Sequence, residues 1–156
     1  DAQSQGVELS EAEVRWAELA IFKKAYRLVR DRNYPIKMLI CSMRISPVVN
    51  GKSYCWHLEK LAGGNIVITC PPSFIEGVFE YLDGTEFRPQ IDEEVPRAVL
   101  DKLMKVPYFE KAYEEDGLKP EEFNTHPALV ATAVEFSKAT EGMVDFVAKR
   151  LASKCG

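Results

Sequence analysis

The sequence predicts an α/β fold, on three observations. Residues 36–43 and 65–70 are short, almost continuously apolar runs, the pattern of strands covered on both faces in parallel sheets. An amphipathic helical pattern precedes the first run, and a loop with a short helical stretch separates the two. Helical patterns then fill the remainder of the chain.

Each element has its own local justification. Residues 1–9 are a polar lead-in. Ser10 followed by Glu13 fits a capping box, in which each side chain satisfies a backbone donor that the first helical turn leaves unpaired. Val14, Ala17, Ile21, Ala25 and Leu28 recur at helical spacing and predict one apolar face. This helix ends near residues 31–33, because Pro35 disfavours helical geometry at Tyr34. The first strand follows over 36–43. Residues 45–53 form a loop, with Pro47 and the Asn50-Gly51 pair as turn signals. A short helix over 54–61 closes at Gly63 and Gly64, and the second strand covers 65–70 until Pro71-Pro72 stops it. Helices are predicted over 73–82, 93–105, 108–116 and from 125 toward 149. In the last of these, Thr125 serves as cap, Pro127 lies in the first turn and Gly142 is a weak point.

A chain of 156 residues is long enough for one domain with a real core. Its net charge of -4 argues against a nucleic-acid duplex or an anionic membrane as the principal partner. No apolar run reaches membrane-spanning length. Cys41, Cys55, Cys70 and Cys155 show no ligand-like pairing, and free thiols inside apolar runs suit a reducing, cytoplasmic setting. The chain opens on "DAQSQG" without an initiator methionine, as a processed product, a fragment or a trimmed chain would. Two strands make an awkward free-standing sheet, with edges and faces unpaired. They are therefore expected to complete a sheet that another stretch of polypeptide supplies.

"MLICSMR" and "LAGGNIVITCPP" together resemble the last two barrel strands of transaldolases. Ser42 and Arg44 match a Ser-aromatic-Arg step at the end of the seventh strand. Leu61, Ala62 and Gly63 match the end of the following helix, and Thr69 and Pro71 match the eighth strand. The resemblance spans roughly residues 10–80. It implies that residues 10–156 are the C-terminal part of a TIM (β/α)8 barrel, incomplete in this chain, with terminal helices. It also implies a transferase of carbohydrate metabolism, in the pentose phosphate pathway, which moves a dihydroxyacetone unit between sugar phosphates through a lysine Schiff base. The lysine and its acid–base carboxylate would lie outside the chain, so no catalytic residue and no cofactor is expected here. The expected partners are a second polypeptide carrying barrel strands 1–6 and a phosphorylated sugar, with a higher oligomer possible.

Arg44 and Ser42 are the phosphate-binding candidates that this resemblance implies, and a guanidinium matches phosphate oxygens in charge and shape. The plain alternative for Arg44 is a salt bridge from strand to helix, and for Ser42 close packing. Thr69, His57 and Lys52 are candidate pocket-lining residues. Thr69 reads equally as a strand-end hydrogen-bonding group, and Lys52 sits in an "NGKS" turn without the glycines of a nucleotide-binding loop. His57 and His126 have no cysteine or carboxylate at ligand spacing, so no metal site is expected. Met43 in place of an aromatic residue and Ile45 after the arginine depart from the family pattern. Two other functional classes stay open: an aldolase or isomerase on the same barrel, and a non-catalytic subunit used for assembly.

Overall fold

A computed structural model of the chain describes residues 2–41 and 43–153. Ser42 and Cys155 lie outside the described residues. Contacts divide the chain into two compact units, residues 1–115 and 116–156.

The first unit is organised around α1 (Glu11–Asp31). Its capping box forms as the sequence predicts: Glu13 N–H donates to Ser10 Oγ at 3.3 Å, and Ser10 N–H donates to Glu13 Oε2 at 2.7 Å. The buried face differs from the predicted stripe. Arg15, Trp16, Leu19, Ala20, Phe22 and Lys23 are buried, whereas Val14 is exposed and Ala17, Ile21, Ala25 and Leu28 are half-buried. The aromatic and leucine arc carries more apolar area than the Val/Ala/Ile stripe, so the core forms on that arc.

β1 (Met38–Ile40) and β4 (Ile66–Ile68) pair in parallel, with Met38 opposite Ile66, Leu39 opposite Val67 and Ile40 opposite Ile68. Thr69 N–H extends the ladder to the Ile40 carbonyl at 3.0 Å. Both strands are shorter than their apolar runs. Their burial alternates, so the sheet is not covered on both faces: Leu39 and Val67 are exposed while their neighbours turn toward the core.

The loop between the strands contains a small antiparallel hairpin, β2 (Val48–Val49) with β3 (Lys52–Ser53). Asn50 and Gly51 turn it with φ of 52° and 75°, the left-handed pair that a two-residue hairpin turn needs. α2 (Trp56–Glu59) follows, and the chain then turns at Gly63, whose φ is 84°. A Cβ there would stand 2.9 Å from Pro89 Cβ, so glycine is required both by conformation and by space. α3 (Pro72–Tyr81) begins directly on the Pro71-Pro72 pair that stops β4. α4 (Arg97–Leu103) and α5 (Pro107–Tyr113) complete the unit and are shorter than predicted, each starting at or just after a proline. Leu19, Leu61, Phe74, Leu82, Leu103 and Phe109 are among the residues that fill the core.

The expectation of a TIM-barrel portion is overturned. Among the described residues there are four strands of two or three residues, paired as two separate two-stranded sheets, and the rest of the ordered backbone is helical. The chain is a small α-helical domain with minor β content. The apolar runs that suggested barrel strands are only partly strand: Met43 is buried outside any strand, and Ile36 is exposed.

In the second unit, a 3₁₀ turn over Pro120–Thr125 leads into α6 (Pro127–Ala152). His126, not Thr125, caps this helix, its Nδ1 accepting from Ala128 N–H at 3.3 Å. Gly142 lies within unbroken helix, and α6 has no buried residue. Among the described residues, no helix is long and apolar enough to cross a membrane.

Candidate functional site

The most developed polar arrangement ties α1 to the segment after β1. The Arg15 guanidinium, itself buried, donates from Nε to Ser46 Oγ at 3.3 Å and from Nη1 to Glu18 Oε2 at 2.7 Å. Ser46 Oγ donates in turn to Glu11 Oε1 at 2.6 Å, and Glu11 Oε2 accepts from Val48 N–H at 3.3 Å. Glu18 Oε2 also meets His57 Nε2 at 2.9 Å. An ionised carboxylate only accepts, so His57 carries its proton on Nε2 in this arrangement. Burial works to raise the Glu18 carboxyl, yet the His57 hydrogen bond and the Arg15 charge together hold it below its ordinary value. Arg44, in the segment after β1, has its Nη1 3.8 Å from Glu18 Oε1, an ion pair to helix α1.

Glu18, His57 and Arg44 of this network reach a cleft of about 290 Å3 along the β1 side of the sheet. Ile21, Phe22 and Ala25 of α1 and Met38 and Ile40 of β1 form its apolar walls. Glu18, Arg44 and His57 stand beside them. A second cleft, of about 320 Å3, runs along the β4 side, lined by Leu58, Leu61, Ile66, Ile68 and Phe87. The parallel sheet therefore has an apolar recess on each flank. β1 and β4 pair only with each other among the described residues.

The structure thus brings two of the sequence candidates, Arg44 and His57, to one cleft. Thr69 follows β4, its Oγ1 3.5 Å from Cys41 Sγ. Lys52 stands on β3 over the Tyr54 ring, 5.2 Å from its centroid, and does not line that cleft. Ser42 lies outside the described residues. Glu18, Arg15, Glu11 and Ser46 carry no motif that marks them in the sequence. The Arg15–Glu18 spacing of three on a helix is a visible signal, but the contacts to Ser46 and His57 depend on how the chain returns to α1.

His57 is only 1 % exposed, and its Nδ1 is buried without a hydrogen-bond partner among the described residues. Burial pushes the Cys55 thiol up to about 11, so it remains protonated and a poor nucleophile. Lys23 is buried, with Nζ donating to the carbonyls of Gln90 at 2.6 Å and Glu93 at 2.9 Å. Its ammonium is occupied in fastening a loop, not presented to a carbonyl substrate. Among the described residues, no three His, Cys, Asp or Glu side chains converge as a metal site would.

Compared with family models, curated proteins and solved structures, the chain matches none. The transaldolase resemblance is not upheld: its two motifs hold only three-residue strands in a mostly helical unit, and among the described residues these pair as an isolated two-stranded sheet, not as part of a barrel. The transferase activity, the alternative aldolase or isomerase chemistry on the same barrel, and the assignment to the pentose phosphate pathway fall with it.

Proposed function

We propose that residues 1–115 form an assembly domain, whose two-stranded parallel sheet accepts an extended segment of another polypeptide. The observation that carries this reading is the pairing of each sheet flank with an apolar cleft. A partner strand laid along β1 or β4 would satisfy main-chain donors and acceptors that the two-stranded sheet leaves on its outer edges. Its inward side chains would fill the recess beside that edge. A two-stranded sheet gains little stability alone, and each apolar side chain newly buried adds about 1.5–3 kcal/mol. The expected partner segment is short, extended and rich in Val, Ile or Leu.

The half-buried stripe of α1 supports the same reading. Ile21 and Ala25 belong to the predicted apolar face and line the β1 cleft half-buried, Ile21 also touching the core. They are where a helix would keep an apolar surface for a neighbour to cover.

Hydrogen exchange on the whole chain, alone and with a panel of end-blocked Val/Ile-rich peptides, tests the proposal. Amides of residues 38–40 and 66–68 should exchange rapidly in the free chain and slow by about tenfold or more with a bound strand. Ile21→Glu should abolish the protection at β1 and leave that at β4. Strand amides already as protected as those of α1, or unchanged by every peptide, would overturn the reading.

A further inference from the structure

We propose that α6 is a self-association element, through which two copies of the chain pair as antiparallel helices. Leu129, Phe136 and Met143 recur every seven residues along α6, and Ala133, Thr140 and Val147 interleave with them at steps of four and three. That is the seam of a helix that packs lengthwise against another helix. Val130, Val144, Phe146 and Leu151 widen it, and the flanking Thr132, Ser137 and Ala139 bring no charge to it. Glu135, Lys138, Glu141, Asp145 and Lys149 occupy the opposite arc, and Arg150 ends the stripe.

Within residues 116–156 this face is uncovered. Phe136 is 71 % exposed and Met143 63 %, and the remaining seam and flanking apolar residues are exposed in similar measure. Leu129, Val130, Phe136, Met143, Val144, Phe146, Val147 and Leu151 are all exposed along the stripe, and a standard stable interface buries roughly 800 Å2 per partner. A groove of about 590 Å3 lies beside the seam, lined by Leu129, Val130, Ala133 and Ser137 on the seam side and by Val134, Lys138 and Glu141 on the other.

Side-chain sizes choose the occupant and its direction. The large seam residues Leu129, Phe136 and Met143 alternate with the smaller Ala133, Thr140 and Val147. In a parallel pair of identical helices each residue meets its own copy. Phe136 and Met143 would crowd, Ala133 and Thr140 would leave voids, and Arg150 would face Arg150. In an antiparallel pair each large residue meets a small one: Leu129 opposite Val147, Phe136 opposite Thr140 and Met143 opposite Ala133. Antiparallel helices also set their macrodipoles favourably. The stripe is thus complementary to itself only when reversed, which a second copy of this chain supplies.

The test uses the full chain. Sedimentation equilibrium should give twice the chain mass at about 100 µM, and Phe136→Glu with Met143→Glu should return it to a monomer with unchanged helical circular dichroism. Orientation follows from oxidative cross-linking with the native cysteines replaced by serine. Ala133→Cys with Met143→Cys should give a covalent dimer, and Ala133→Cys alone should not. A wild-type monomer at that concentration would overturn the proposal, as would a dimer that survives the paired glutamates. Cross-linking by Ala133→Cys alone would overturn the antiparallel arrangement. A dimer disrupted only by Leu39→Lys with Val67→Lys would place self-association at the sheet and refute the role of α6, a result separable from the strand-acceptor reading of residues 1–115.

Discussion

Of the 21 residues in α1, six are buried within residues 1–115, whereas α6, with 26 residues, buries none. Both helices carry an apolar face at helical spacing, and both begin on a recognisable cap. They differ in what surrounds that face. α1 carries Trp16, Leu19 and Phe22 on the arc that meets the core, and it adds polar fasteners on the same side: Arg15 to Ser46, and Lys23 to the carbonyls of Gln90 and Glu93. α6 has an apolar stripe but no buried polar anchor. A stripe shows that a helix has a face to bury. Anchors of the α1 kind show that its own unit does the burying.

The largest effect that would sharpen this contrast comes from truncating one apolar residue on each helix. Leu19→Ala should destabilise residues 1–115 by about 2–5 kcal/mol, because a fully buried leucine leaves a cavity as well as losing its transfer energy. Phe136→Ala should change the same transition by less than about 0.5 kcal/mol, since it removes no core contact there. Both tryptophans, Trp16 and Trp56, lie in the first unit, so urea unfolding followed by tryptophan fluorescence reads that unit directly. Equal losses from the two substitutions would break the distinction.

Lys23 gives the next effect. Lys23→Met leaves the Gln90 and Glu93 carbonyls without their donor and should cost about 1–3 kcal/mol. The pH dependence carries a clearer signature. Burial pushes the Lys23 ammonium down to about 8 from its ordinary 10.5, with the Glu93 charge opposing. Below about pH 8 both folded and unfolded chains hold this proton, and the penalty for burying the charge is fully present. Between about 8 and 10.5 the unfolded chain holds the proton and the folded one does not, so this group's contribution to stability rises with pH. Urea midpoints from pH 7 to 10 should therefore rise more, or fall less, in the wild type than in Lys23→Met. Parallel curves would show that Lys23 does not titrate in that window.

What the sequence made legible follows the same division between local and returning contacts. The Ser10–Glu13 box, the Asn50-Gly51 turn and the Pro71-Pro72 boundary are set by residues within a few positions of each other, and each is found where the sequence places it; the long terminal helix is found too, with its cap one residue later, at His126. The buried face of α1 is not legible in the sequence, because its stripe and its aromatic arc are both apolar and only tertiary packing selects between them. The strands were overextended because a continuous apolar run satisfies a strand pattern equally when half of it is loop, as at Met43. The cleft was half legible: Arg44 and His57 stood out as side chains, but Glu18 joins them only after the chain returns past α1 from Ser46 to His57. The barrel inference failed one step further out, since it extended two short motifs to an architecture that their own neighbours do not form.

The smallest effect concerns the start of α1, where a local signal and a returning contact meet on one side chain. Glu13 closes the capping box and also accepts from Lys102 Nζ of α4, at 2.8 Å to each oxygen. The Lys102 contact first, and the Ser10 amide next, hold this carboxyl at about 2, below its ordinary 4.5. Above about 4.5 the folded and unfolded chains are both ionised here and the stabilisation is fully present. It is lost as pH falls from 4.5 toward 2, where the unfolded chain takes up the proton first. Ser10→Ala should cost about 0.5–2 kcal/mol at neutral pH through the lost cap alone. Lys102→Met keeps the cap and removes the bond to α4, so its stability should fall less steeply than the wild type's between pH 4.5 and 2. If the two acid titrations coincide, Glu13 serves only its own helix, and the hold of α4 on α1 rests on apolar packing.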